Sequence, residues 1–196
     1  MTICYEYIHN IMKHAPTETT PDGVSQTDAT CGQFLFVVAH EIGHALFELY
    51  GVPVFGREED AADQMAAYFM LHLGKENARG LIGGAAYAYH GYIKDYKDKP
   101  DVRVPLVAFS SNHGSPEERY YNLMCIAYGA DPVLFADVVE TEMLPKTRAR
   151  GCNYEFKTLR HAVLREIRPH LDWPMAQEIW NMRWIPDASL RTAAQE

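Results

Sequence analysis

Apolar residues recur along this chain at helical rather than strand spacing, and clusters of turn-forming residues cut the pattern into segments. Ile3, Tyr7, Ile8 and Ile11 fall on one side of a helix over residues 2–14. Residues 15–30, rich in Thr, Pro, Asp and Gly, form a loop. A second helix over residues 31–50 is closed by Gly51 and Pro53, and Leu35, Val38, Ile42, Leu46 and Leu49 give it an apolar stripe. The third, over residues 58–73, has acids in its first turn and Gly74 at its end, with Ala62, Met65, Ala66, Phe69 and Leu73 on its apolar side. A fourth covers residues 78–96 despite Gly80, Gly83, Gly84 and Gly91, and its Tyr87, Tyr89, Tyr92 and Tyr96 serve packing and an amphipathic surface. Residues 97–112 are a loop with an extended stretch from Val102 to Phe109. Ser115-Pro116-Glu117-Glu118 is a helix start, with Ser as N-cap and Pro at the first helical position, and that helix ends at Gly129. Asp131-Pro132 opens a short helix through Met143; residues 152–171 form the last long one, ahead of a tail with Trp173, Trp180 and Trp184. No strand alternation, repeat or low-complexity tract interrupts this series, so the predicted fold is mostly α, with few or no strands.

A chain of 196 residues is one domain by size, here spanning residues 1–196, and long enough to bury a core. With 47% hydrophobic and 22% charged residues it is globular rather than disordered. A net charge of −8 argues against nucleic acid and anionic membrane as partners, since both need a basic face. The longest apolar run is broken by His40, Glu41 and His44, so no membrane span is expected. Residues 1–14 lack the basic and apolar regions of a signal peptide. Cys4, Cys31, Cys125 and Cys152 are too far apart for a cysteine zinc site. They allow up to two disulfides or four buried thiols, and a staple between the two ends, Cys4 to Cys152, is the pairing favoured.

The chemistry concentrates at His40-Glu41-Ile42-Gly43-His44. Residues four apart share a helix face, so both imidazoles reach one cation. Glu41, about 100° further round the helix, sits beside that cation, where it can take a proton from activated water. The apolar stripe is placed on the side away from the histidines. A catalytic zinc takes three protein ligands, and the next acid-rich helix start offers the third. Glu59 and Asp63 share a face there, and the small Ala61 and Ala62 permit close approach to the histidine helix. Glu59 is the expected ligand, Asp60 the runner-up, and Asp63 the group that hydrogen-bonds the free nitrogen of a ligand histidine. His9, His14, His72, His90, His161 and His170 have no ligand-spaced partner.

The stretches HEIGHAL, GREEDAADQ and HGSPEERYYNL resemble the metallopeptidases of a bacterial domain family, the DUF4344 group, over nearly the whole chain. The three motifs alone are more distantly similar to HtpX-type metalloendopeptidases, with Gly114 where that pattern has proline. The resemblance implies a zincin-like fold and one Zn2+ per chain held by His40, His44 and Glu59, with Glu41 as general base. It implies that His113 stabilises the transition state and that Arg119 supports the site. On the residues alone, His113 is equally a loop histidine ahead of an N-cap, and Arg119 equally a partner of Glu118 or Asp137. The resemblance further implies a peptide or protein substrate, a periplasmic or secreted location, and a segment ahead of the present start in other members. Two other readings compete with a zinc peptidase: a zinc-stabilised scaffold without turnover, and a zinc hydrolase of non-peptide amides. A purely structural site needs the histidines but not Glu41, which favours the enzyme.

Overall fold

The computed structural model describes residues 2–97 and 110–182, with the side chains of residues 92–97 and 180 left aside. The expected stretch Val102 to Phe109, the side chains of Tyr92, Tyr96 and Trp180, and Trp184 therefore lie outside the described residues. In chain order the elements are α1 (Tyr5–His14), α2 (Gln26–Tyr50), α3 (Glu58–Leu71), α4 (Lys75–Lys97), α5 (Pro116–Ala130), α6 (Asp137–Glu140), α7 (Lys146–Ala162) and α8 (Trp173–Trp180). No strand occurs among the described residues, and the fold is mostly α. At its centre α2 packs against α3 and α4, α5 packs against α3, α4 and α7, and α1 lies on α2. Phe36, Met70, Leu81, Ile82, Met124 and Phe135 fill the space between them.

Helix α2 starts five residues before its apolar run. Ser25 and Asp28 form a capping box, the Ser25 hydroxyl accepting from the Asp28 backbone N–H and the Asp28 carboxylate from that of Ser25. Two orphan donors are thereby satisfied, which outweighs the loop-like composition of residues 26–30. At the other end Gly51 takes the left-handed conformation, φ 60°, and stops the helix. The inward stripe of α2 is also not the expected one. Ile42 and Leu49 are 48% and 73% exposed, whereas Ala29, Gly32, Phe36, Ala39, His40 and Gly43 are buried. Small residues on this stripe admit α3 and α4, so His40 faces the interior rather than pointing away from the core.

Gly84 of α4 and Gly32 of α2 serve the same purpose. A Cβ at Gly84 would lie 1.8 Å from the Asp28 carbonyl oxygen, and one at Gly32 would lie 2.3 Å from that of Leu81. Both obstacles are backbone, which cannot swing aside. Gly84→Ala is expected to destabilise the fold by about 3 kcal/mol or more, the upper range for overpacking. Chemical denaturation reads this directly, and an unchanged midpoint would contradict the α2–α4 packing.

Toward the C-terminus several expectations are corrected. The Asp131 side chain accepts from Val133 and Leu134 N–H groups, a local turn that leaves only Asp137–Glu140 helical where a helix through Met143 was expected. Helix α7 begins at Lys146, not at Cys152, and gives way to a π turn, Val163–Ile167, and a 3-10 turn, Arg168–His170. Pro169, which has no N–H to donate, explains why the α-helix does not run to Leu171. The disulfide joins Cys125 to Cys152, not Cys4 to Cys152, with Cα atoms 4.9 Å apart. Cys4 lies exposed at the start of α1, whereas Cys152 is buried between α5 and α7, where Gly129 brings the two backbones together. The pair is 27 residues apart in sequence. Loop closure of that length is worth about 3.5 kcal/mol, so Cys152→Ser should lower unfolding free energy by about that amount. Equal stability with and without reductant would remove the disulfide from the account.

Candidate metal centre

Helix α2 presents His40 and His44 one turn apart, and α3 meets them with Glu59. Gly43 permits this approach, since a Cβ there would already meet the Ala62 Cα at 3.3 Å. His40 Nε2 lies 3.1 Å from His44 Nε2 and 3.1 Å from Glu59 Oε2, and His44 Nε2 is 3.5 Å from the same oxygen. These three ligand atoms form a group able to hold a metal ion.

The outer nitrogens decide what the inner ones can do. His40 Nδ1 is 2.7 Å from Asp63 Oδ1, and His44 Nδ1 is 2.7 Å from Glu58 Oε1. Each Nδ1 therefore carries the proton and donates it to a carboxylate, which in a neutral imidazole leaves Nε2 as an acceptor. Two imidazole lone pairs and a carboxylate then converge with no proton between them. Glu59 Oε2 is buried and makes no well-aligned hydrogen bond, its near neighbours being the Nε2 atoms of His40, His44 and His113. Such a set is repulsive unless a cation or extra protons occupy its centre. Protons and a cation compete for it. Burial draws the His44 pKa down, but the Glu58 hydrogen bond and the charges of Glu59, Glu58 and Glu41 outweigh burial and raise it above its ordinary value of 6.5. Two borderline nitrogen donors with one hard oxygen donor fit a divalent metal ion of the transition series or zinc.

Arg119 anchors the buried side. Its Nε donates to Asp63 Oδ2 and its Nη2 to Asp63 Oδ1, both at 2.7 Å, and its guanidinium lies 5.1 Å from the centre of the Tyr89 ring. Burial pushes the Asp63 pKa up, yet hydrogen bonds from His40 and Arg119 hold the carboxyl below its usual range. Neither partner offered by sequence alone takes Arg119: Asp137 pairs with Arg79, and Glu118 closes the capping box of α5. Arg119 touches Asp63 rather than the ligand atoms themselves. Asp63→Asn should weaken metal affinity by roughly 10- to 100-fold, measured by competition with a chromophoric chelator. An affinity equal to that of the unaltered protein would remove Asp63 from this role.

On the open side, His113 Nε2 is 2.8 Å from Glu59 Oε2, and its ring lies 6.3 Å from that of His40, nearly parallel. The side chain is 53% exposed. Glu41 is exposed on α2 beside His40. Asp60 is not part of the cluster, because it accepts from Arg57 Nε at 2.8 Å. Glu58 was missed by sequence reasoning, which read it only as one of the acids in the first turn of this helix. Its signal was the position one residue before Glu59, from which a helix start can reach back toward His44. A cavity of about 500 Å3 opens here, lined by His44, Gly56, Arg57, Glu58, Glu59 and Asn112.

A family model, DUF4344, described as "Putative metallopeptidase", matches residues 1–164, which include the whole cluster and every residue supporting it. No curated protein and no solved structure matches the chain.

Proposed function

This chain belongs to the DUF4344 family, and from that membership together with the His40, His44 and Glu59 cluster we propose that it is a zinc-dependent peptidase. The observation that carries the reading is the convergence of three acceptor atoms, one of them the buried Glu59 Oε2, which makes no well-aligned hydrogen bond. When bound, zinc supplies Lewis acidity, which activates water and polarises a scissile carbonyl at neutral pH. His40 and His44 offer their Nε2 atoms, held in the right tautomer by carboxylates on Nδ1, and Glu59 offers Oε2. Glu41 takes the proton from the attacking water and passes it to the leaving amine. His113, on the open side of Glu59, donates to the oxyanion that develops on the carbonyl. Arg119 keeps Asp63 ionised and in register with His40. The substrate is a peptide or protein; among the described residues no helix is long and apolar enough to cross a membrane.

Digestion of a broad peptide library by the purified chain tests the reading. Cleavage is expected, should stop on addition of a chelator, and should return when zinc is restored. A zinc-loaded protein that leaves the whole library intact would contradict it and favour a scaffold.

A further inference from the structure

The two histidines of the cluster are supported unequally. The His40 side chain is 6% exposed, and its partner Asp63 is 10% exposed and clamped by both arms of Arg119. The His44 side chain is 25% exposed, and its partner Glu58 is 55% exposed. Arg57, next to Glu58 in sequence, is engaged with Asp60 and lies 3.7 Å from Glu118. Among the described residues no lysine or arginine forms a salt bridge with Glu58. One imidazole thus sits in a buried, charge-balanced clamp, while the other is held by a single surface carboxylate. The cavity beside the cluster lies on that second side, with His44 and Glu58 in its lining.

We propose that Glu58 is the positioning residue of His44, and that this edge of the cluster is where the metal enters and leaves. The proposal rests on the zinc reading above and extends it. A carboxylate at the surface can turn into water at little cost, since water replaces its hydrogen bond. With it goes the constraint on His44, whose ring then rotates toward the cavity and takes Nε2 out of the ligand set. His40 has no such freedom: its ring is buried, and Asp63 cannot turn without breaking two arginine hydrogen bonds. Loss of metal therefore begins at His44, and Glu58 sets how often it begins.

The test measures metal, not turnover. Zinc affinity and the rate of zinc transfer to a chromophoric chelator are compared for the full chain and for Glu58→Ala, Glu58→Gln and Glu76→Ala. Glu76 is an exposed acid in the first turn of α4 and controls for net charge and helix dipole. Glu58→Ala is expected to raise the zinc Kd by roughly 10-fold, chiefly through faster release. The amide oxygen of Glu58→Gln still accepts from Nδ1 and should recover most of that loss, and Glu76→Ala should match the unaltered protein. The thermal midpoint of the metal-free chain should be nearly the same in all four. A Glu58→Ala protein that binds and releases zinc like the unaltered chain overturns this proposal while leaving the zinc peptidase reading in place. If the unaltered chain takes up no zinc, both fail together.

Discussion

Glu59→Ala should strip zinc from the protein, while Asp60→Ala should leave it loaded. The two carboxylates are adjacent in sequence, and the helix separates them. Glu59 points at the histidines, with Oε2 3.1 and 3.5 Å from their inner nitrogens, whereas Asp60 faces Arg57. Removing Glu59 deletes one of three ligands and leaves two imidazoles, which cannot by themselves close a stable site. The loss should exceed the roughly 10- to 100-fold that follows removal of a supporting residue. Metal content per chain after dialysis checks this, and the opposite ranking of the two variants would assign the ligand to Asp60.

Glu41→Gln should separate chemistry from metal binding. Glu41 is exposed on the histidine helix and outside the ligand set, so the amide should leave zinc bound and the fold intact. What disappears is the group that accepts a proton. Hydrolysis of any peptide found to be a substrate should fall by at least about 10²-fold, the usual scale for a positioned acid–base group. Retained turnover in a zinc-loaded Glu41→Gln protein would place the base elsewhere.

Much of this site was legible because it depends on local spacing. The i, i+4 histidines and the Glu59, Asp63 pair each follow from helix geometry, and both helices form. Close packing of α2 on α3 was foreshadowed by Ala62, which Gly43 of α2 meets directly. The inward stripe of α2 was not legible, because apolarity pointed to Ile42 and Leu49 while packing selected small residues. Contact distance between helices, not hydrophobicity alone, decided which face went in. The start of α2 was hidden by a composition typical of loops, although Ser25 and Asp28 spelled a cap three residues apart. The Cys125–Cys152 pairing and the Arg119–Asp63 clamp both join distant helices, and such contacts leave no trace in spacing along one chain. Glu58 was visible as an acid but not as a partner of His44, since its role depends on how α3 enters the site.

A single zinc between His40, His44 and Glu59 is tested most directly by X-ray absorption at the zinc edge on the metal-loaded chain. The expected spectrum has only nitrogen and oxygen neighbours at about 2.0–2.2 Å, with the outer-shell scattering of two imidazoles and one zinc per chain. Sulfur scattering near 2.3 Å, or a first shell without imidazole, would put the metal elsewhere and contradict the site.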